Sequence, residues 1–249
     1  MFYTEYLTEN TGVNYTREEK SNWLKKLLEL DSLPKIADEP LVAHITRQFL
    51  LAAHGKKHRP PQLIAFAGGP GAGKSFLYEA MKSKGQLPPD SVIHDPDLVM
   101  QAIPQYLEEA RREPVDAFKK WELPARQLAN NILMSALLAG YNIIYMRTFA
   151  LADSLNFVHA AKILGYQVTL HVLTCDLEVA LARAKARERQ TRRHIPPAVL
   201  AQRHQAVLNL IPELIKIADH YFIYENNGGR LSSPRRREII PKRQEENLA

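Results

Sequence analysis

Gly68-Gly69-Pro70-Gly71-Ala72-Gly73-Lys74-Ser75 fits the phosphate-binding pattern G-x-x-x-x-G-K-[ST] at every fixed position. Leu63-Ile64-Ala65-Phe66-Ala67 before it reads as a short buried strand, and Phe76 to Met81 after it as the first turns of a helix. That strand–loop–helix order suits a polyphosphate. The glycines let backbone N–H groups curl around it without interference from a Cβ, and the helix N-terminus adds its partial positive charge. Lys74 is placed to reach the β- and γ-phosphates and the Ser75 hydroxyl to hold Mg²⁺. Residues Gly68 to Phe76 are therefore expected to bind a nucleoside triphosphate, taken here as ATP.

From residue 62 onward, strand-like and helix-like stretches alternate. Strands are expected at Ser91–His94, Tyr141–Met146, Gln167–Leu173 and His220–Tyr224. Helices are expected at Asp116–Ala139, Ala152–Leu164, Asp176–Gln190 and Pro197–Ala218, with Gly140 and Gly165 as stop signals. The stretch between the second strand and Asp116 reads as less regular. Repeated β–helix–β units with buried strands predict an α/β fold, a mostly parallel sheet with helices on both faces. Ahead of it, Thr16–Leu30 and Pro40–His54 read as amphipathic helices, with Thr16 as N-cap and Glu18 and Glu19 in the first turn. The expected division is a helical extension over 1–60, either a layer packed on the main unit, which the short connection favours, or a small regulatory unit, then a phosphate-loop domain over 61–230. A basic tail over 231–249, mobile from Ser232 on, completes it.

In sheets of this kind a ligand sits at the carboxyl ends of the strands, so the residues just after each strand matter most. After the second strand comes Asp95-Pro96-Asp97. Two carboxylates beside a triphosphate are costly unless they meet a cation or take up a proton. One could join the Mg²⁺ shell, with Asp95 the choice here, while the other accepts the proton of an acceptor hydroxyl. The same three residues also make good turn chemistry, with Asp97 capping a helix that begins at Leu98. After the third strand, Arg147 could pair with a substrate phosphate and Thr148 contact the substrate or cap the next segment. No acidic residue stands there, so Mg²⁺ must rely on Ser75, the aspartate pair, water and the phosphates. Glu225-Asn226-Asn227-Gly228-Gly229 reads as a turn that could border a base.

The net charge of +6 is unevenly placed. Between Arg183 and Arg203 lie Arg183, Lys185, Arg187, Arg189, Arg192, Arg193 and Arg203, against Glu188 alone. One sign dominates and no acidic partners sit one turn away, which favours a lid that brings arginines to a triphosphate over a solvated face. Arg187 and Arg193 are the expected inward residues, with Arg183 as a substitute. A second cluster, Arg235-Arg236-Arg237 with Lys242 and Arg243, could attract a nucleic-acid backbone as well as a nucleotide. Cys175 is the only cysteine, so neither an internal disulfide nor a Cys-based zinc site is available. No basic leader precedes an apolar core at the N-terminus, and no apolar run nears the ~20 residues of a membrane span. The expectation is a cytoplasmic, reducing setting and no membrane partner.

Taken in order, these pieces resemble the zeta-toxin family of P-loop kinases over roughly residues 60–230. The likeness rests on Ala67–Ser75, Ile93–Asp97 with Pro104-Gln105-Tyr106, Gly140–Ile144, the lid ending Arg193-His194-Ile195-Pro196, Ala218-Asp219 and Tyr224–Gly228. The resemblance implies phosphoryl transfer from ATP to a hydroxyl, in the best-known members that of a UDP-linked N-acetylated amino sugar. It implies Asp97 as catalytic base, Lys74 as phosphate lysine, Arg187 and Arg193 as lid arginines and Thr148 as a substrate contact. It also implies an antitoxin or other regulatory partner. Three positions depart from the family pattern: Asn130 and Met146 stand where glutamates are expected, and Ala150 where an arginine is. A changed polar set around the acceptor implies a changed acceptor.

The leading reading is thus a kinase acting on a small metabolite or nucleotide derivative, with Asp97, Thr148, Arg147 and Asn130 around the acceptor. A polynucleotide 5′-hydroxyl kinase can use the same loop, aspartate and lid. A nucleotide-binding switch that performs no transfer is the non-enzymatic alternative.

Overall fold

The computed structural model describes residues 15–51, 53, 59–150, 153–191, 196–228 and 235–237. Five parallel strands form the body of the sheet: β1 (Gln62–Ala67), β2 (Ser91–His94), β3 (Asn142–Met146), β4 (Gln167–Thr174) and β5 (His220–Glu225). A short strand β6 (Arg235–Arg237) pairs antiparallel to β5, giving the order β2-β3-β1-β4-β5-β6. The loop-bearing strand β1 is central, with Leu63 aligned to Ile143 on one side and to Val168 on the other.

Side chains alternate across each strand, and the two sets feed two separate cores. Leu63, Ala65, Ala67, Ile143, Tyr145, Val168, Leu170 and Val172 line one face. Ile64, Phe66, Ile144 and Leu173 line the other. The first face is covered by α1 (Arg17–Leu27), α2 (Glu39–Leu51), α6 (Pro114–Ala139) and α7 (Asp153–Ile163). The second is covered by α3 (Lys74–Ser83) through Leu77 and Tyr78 and by α8 (Leu177–Thr191) through Ala180. The long helix α9 (Pro197–Ile217) serves both, with Leu200 in the second core and Leu214 in the first. The α/β sheet with helices on both faces is therefore the observed architecture.

The front helices are part of the first core. Leu24, Leu28, Leu30 and Ile45 are buried in it beside the strand residues, and each such side chain contributes about 1.5–3 kcal/mol of hydrophobic stabilisation. Thr16 caps α1 as its sequence predicts: its Oγ1 accepts from the Glu19 N–H at 3.2 Å, and the Glu19 carboxylate accepts from the Thr16 N–H at 2.7 Å. The helix stops at Leu27 because the chain reaches the left-handed region at Glu29 (φ 53°). Where α6 ends, Gly140 takes φ 71° and its N–H closes the last turn.

Two expectations need correction. The segment after β2 is not irregular: it holds α4 (Pro96–Gln101) and α5 (Pro104–Arg112), and α6 starts two residues earlier than expected. Each of these helices carries proline at its start, where a missing N–H costs nothing, so residues that read as turn breakers are helix starters. The basic tail also departs from a uniformly mobile segment, because the backbone of Arg235–Arg237 is hydrogen-bonded into the sheet edge. Residues 229–234 and 238–249, with Lys242 and Arg243, lie outside the described residues. No helix among the described residues is long and apolar enough to cross a membrane.

Candidate functional site

Gly68 to Ser75 joins the carboxyl end of β1 to the first turn of α3. Two glycines are required by the backbone. Gly71 (φ 82°) and Gly73 (φ 99°) occupy the left-handed region, and a Cβ on Gly71 would come 2.7 Å from the Ala180 carbonyl oxygen. A Cβ on Gly73 would collide with the Asn226 side-chain nitrogen. Lys74 folds over the loop, its ammonium donating to the carbonyls of Gly68 at 2.6 Å and Gly69 at 3.1 Å. Ser75 follows in the first turn of α3, and Phe76 next to it is exposed. Pro70 and Ala72 complete the loop, with Ala72 buried. On its outer side α9 passes close by, so that a Cβ on Gly69 would meet the His204 Cα at 3.5 Å.

The loop is braced from two other elements. Arg183 on α8 donates to the Gly71 carbonyl at 3.1 Å, to Asn226 Oδ1 at 3.3 Å and to the Gly228 carbonyl at 2.7 Å. Asn226, just past β5 and 5% exposed, donates through Nδ2 to the Ala72 carbonyl at 2.9 Å. Its own N–H is tied to Thr174 at the end of β4 (2.8 Å), and Asn227 Oδ1 accepts from the Asp176 N–H at 2.7 Å. Asn226 and Arg183 were missed as loop braces: Asn226 read as a turn residue and Arg183 as a spare lid arginine. The signal available was position: Asn226 directly follows β5, and Arg183 lies two turns into the helix that follows β4, the neighbour of β1. Cys175 is buried beside this brace, and burial pushes its thiol up.

Asp95-Pro96-Asp97 stands at the carboxyl end of β2, separated from the loop by β3, a gap of about 10 Å for two strand spacings. Asp95, not Asp97, is the N-cap of the helix: its Oδ1 accepts from the Asp97 N–H at 2.9 Å, and α4 begins at Pro96. Asp97 lies in the first turn, so its carboxyl group is not used as the cap.

Arg147 and Thr148, both half-buried, follow β3 between the loop and the aspartates. Their backbone is fixed by Phe149, which takes φ 55° and buries its ring at the edge of Tyr145, 5.5 Å between centroids. A bulky residue held at positive φ marks a place where the fold overrides local preference.

Asn130 is placed behind the aspartates. It is 8% exposed, and both ends of its amide are engaged within the fold: Nδ2 donates to the Leu28 carbonyl at 2.8 Å, and Oδ1 faces His94 Nε2 at 3.1 Å. Because Oδ1 can only accept, His94 Nε2 carries the proton. The ring of His94 stacks on Tyr145 at 4.8 Å and is fully enclosed. Burial, aided by the nearby Arg147 charge, pushes its pKa down to about 3, so it stays neutral.

Arg187 lies one turn beyond Arg183 on α8 and is exposed; Arg193 lies outside the described residues. The structure thus gathers the Gly68–Ser75 loop, Asp95, Asp97, Arg147 and Thr148 at one end of the sheet, with α8 alongside. Among the described residues, no three acidic, histidine or cysteine side chains group as a metal centre. The Ser75 hydroxyl and the Asp95 carboxylate are hard oxygen donors of the type Mg²⁺ accepts, and they fit an ion shared with phosphates and water.

The architecture has clear relatives. A toxin–antitoxin protein of the PezAT system of Streptococcus pneumoniae superposes with a TM-score of 0.62 at 19% identity, covering 77% of this chain and 79% of that one. AvrRxo1-ORF1:AvrRxo1-ORF2 solved with ATP gives a TM-score of 0.56 at 15% identity, covering 96% of this chain and 71% of that one. The same complex with sulphate ions gives 0.55 at 16% identity, with coverages of 96% and 73%. No curated protein matches the chain in sequence. The zeta toxin family model matches residues 50–234, and the chain belongs to the zeta toxin family.

Proposed function

We propose that this protein is a kinase that transfers the γ-phosphoryl group of ATP to a hydroxyl of a small metabolite or nucleotide derivative. The observation that carries the reading is the placement of Asp95-Pro96-Asp97 across β3 from the phosphate loop, at the same end of the sheet. In this reading the loop amides and Lys74 hold the β- and γ-phosphates, and Lys74 exchanges its contacts with Gly68 and Gly69 for phosphate oxygens. Asp97 orients the acceptor hydroxyl and takes its proton as the new P–O bond forms, while ADP leaves with the bridging oxygen. Arg187 and Arg193 offset the charge on the transferring group when the lid closes. Mg²⁺, held by Ser75 and Asp95, would neutralise the phosphates.

Arg147 and Thr148 flank the acceptor in this reading. With Met146, Asn130 and Ala150 at positions that carry charged groups in UDP-sugar kinases of the family, an acceptor other than a UDP-amino sugar is favoured. An antitoxin-like partner remains part of the proposal, since the PezAT relative is a toxin–antitoxin system.

The test is incubation of the protein with γ-labelled ATP and a metabolite extract, with a UDP-sugar panel and single-stranded RNA in parallel. A labelled small molecule whose mass names the acceptor supports the reading. Label on RNA alone would favour the polynucleotide kinase, and ATP binding without any product the nucleotide switch.

A further inference from the structure

The carbonyl of Leu28 closes the end of α1, where helix carbonyls lack partners of their own. It is satisfied by Asn130 Nδ2 from α6, and one turn earlier Gln127 Nε2 donates to the Leu30 carbonyl at 3.3 Å. Two buried amides of α6 thus hold the turn that follows α1. The other end of the Asn130 amide accepts from His94, the last residue of β2. One peptide bond separates His94 from Asp95, whose carboxylate and carbonyl organise the next turn. Asp95 Oδ1 accepts from Asp97 N–H at 2.9 Å, and the Asp95 carbonyl accepts from Leu98 and Val99 at 3.1 and 3.2 Å. A path of hydrogen bonds joined by the His94–Asp95 peptide link therefore runs from the front helices to the aspartates, and its Leu28–Asn130–His94 part is buried.

We propose that Leu28, Asn130 and His94 form a positioning relay through which the N-terminal helices set the geometry of the Asp95–Asp97 turn. His94 and Asn130 are positioning residues: neither is placed to touch a substrate, and each acts through the backbone that carries Asp97. This deepens the kinase reading by giving the acceptor site a handle on α1, on which a partner engaging the front helices would act. The relay itself is a property of the fold and is testable apart from that reading.

The experiment loosens α1 from a distance and asks whether the aspartate turn responds through His94. Leu24, fully buried on α1, is changed to Ala in the full-length protein, alone and together with His94→Phe, which keeps the stack on Tyr145 but removes the donor. Amide hydrogen exchange is read by NMR at Asp97, Leu98 and Val99. Leu24→Ala alone should speed exchange there by about tenfold, within the range that mutations along a coupled chain produce. In the His94→Phe background the further change should stay below about twofold. His94→Gln, which restores a donor toward Asn130, should bring back part of the response. If His94→Phe does not fold, Asn130→Leu cuts the same path.

Equal acceleration in both backgrounds, or none in either, overturns the relay. Transfer from γ-labelled ATP to the metabolite extract is followed in the same variants and should fall where the exchange speeds up. If exchange couples as described while even the unchanged chain transfers no phosphoryl group, the relay stands and the kinase reading fails.

Discussion

Asn226 Nδ2 donates to the carbonyl of Ala72 at 2.9 Å, joining the end of β5 to the crown of the phosphate loop. Its Oδ1 accepts from Arg183, which also holds Gly71. The loop is therefore shaped by its neighbours before any nucleotide arrives, and preorganisation of this kind reduces the ordering cost of binding. Asn226→Ala leaves the buried Ala72 carbonyl without its donor, a loss of about 1–3 kcal/mol. ATP affinity, measured by titration calorimetry, should drop about tenfold or more, and Arg183→Ala should weaken it in the same direction.

Two glycines at similar backbone angles should behave differently. Gly73 (φ 99°) faces Asn226, whereas a Cβ on Gly140 (φ 71°) meets nothing within 4 Å. Gly140→Ala then costs only left-handed strain, about 1–2 kcal/mol, seen as a lowered melting temperature with ATP binding retained. Gly73→Ala adds a collision with the brace and should abolish ATP binding while the sheet still folds.

A pH dependence follows from Asp219, which precedes β5. Burial alone would raise its pKa, but the Lys162 ammonium and the Val168 N–H (2.7 Å) outweigh it and hold the carboxyl below its ordinary value. A carboxylate depressed in the folded state contributes stability that is complete above its unfolded pKa of about 4 and is lost as pH falls through the lower, folded value. Thermal melts between pH 6 and 2.5 should show the acid-induced decline of the unchanged chain reduced in Asp219→Asn, with the two curves differing most at pH 6. Parallel curves across the range would contradict this.

Much of this was legible in the sequence, for identifiable reasons. The glycine pattern of Gly68–Ser75 and the apolar run of Leu63–Ala67 are local signals, and local signals decide a strand–loop–helix unit without tertiary help. The N-cap at Thr16, with Glu19 in the first turn, is equally local, and the structure completes it as a reciprocal pair. The aspartate pair was found from its place after the second strand, but its cap was assigned to Asp97. Proline at the first helical position moved the cap to Asp95, and the same residue type hid α4 and α5. The strand at Arg235–Arg237 was hidden for another reason: pairing at a sheet edge depends on a neighbour, and three arginines carry no apolar alternation. Asn130 was expected beside the acceptor because of its aligned position. Its commitment to Leu28 and His94 depends on contacts 102 and 36 residues away, which no local pattern encodes.

The most direct measurement compares the unchanged protein with Asp97→Asn for ATP affinity and for transfer of γ-label to the acceptor. The substitution keeps size and leaves the loop untouched, but removes the proton acceptor. The account predicts ATP affinity within about twofold and transfer reduced by about 10²–10⁴-fold, the usual contribution of a positioned general base. Full transfer by Asp97→Asn would contradict it.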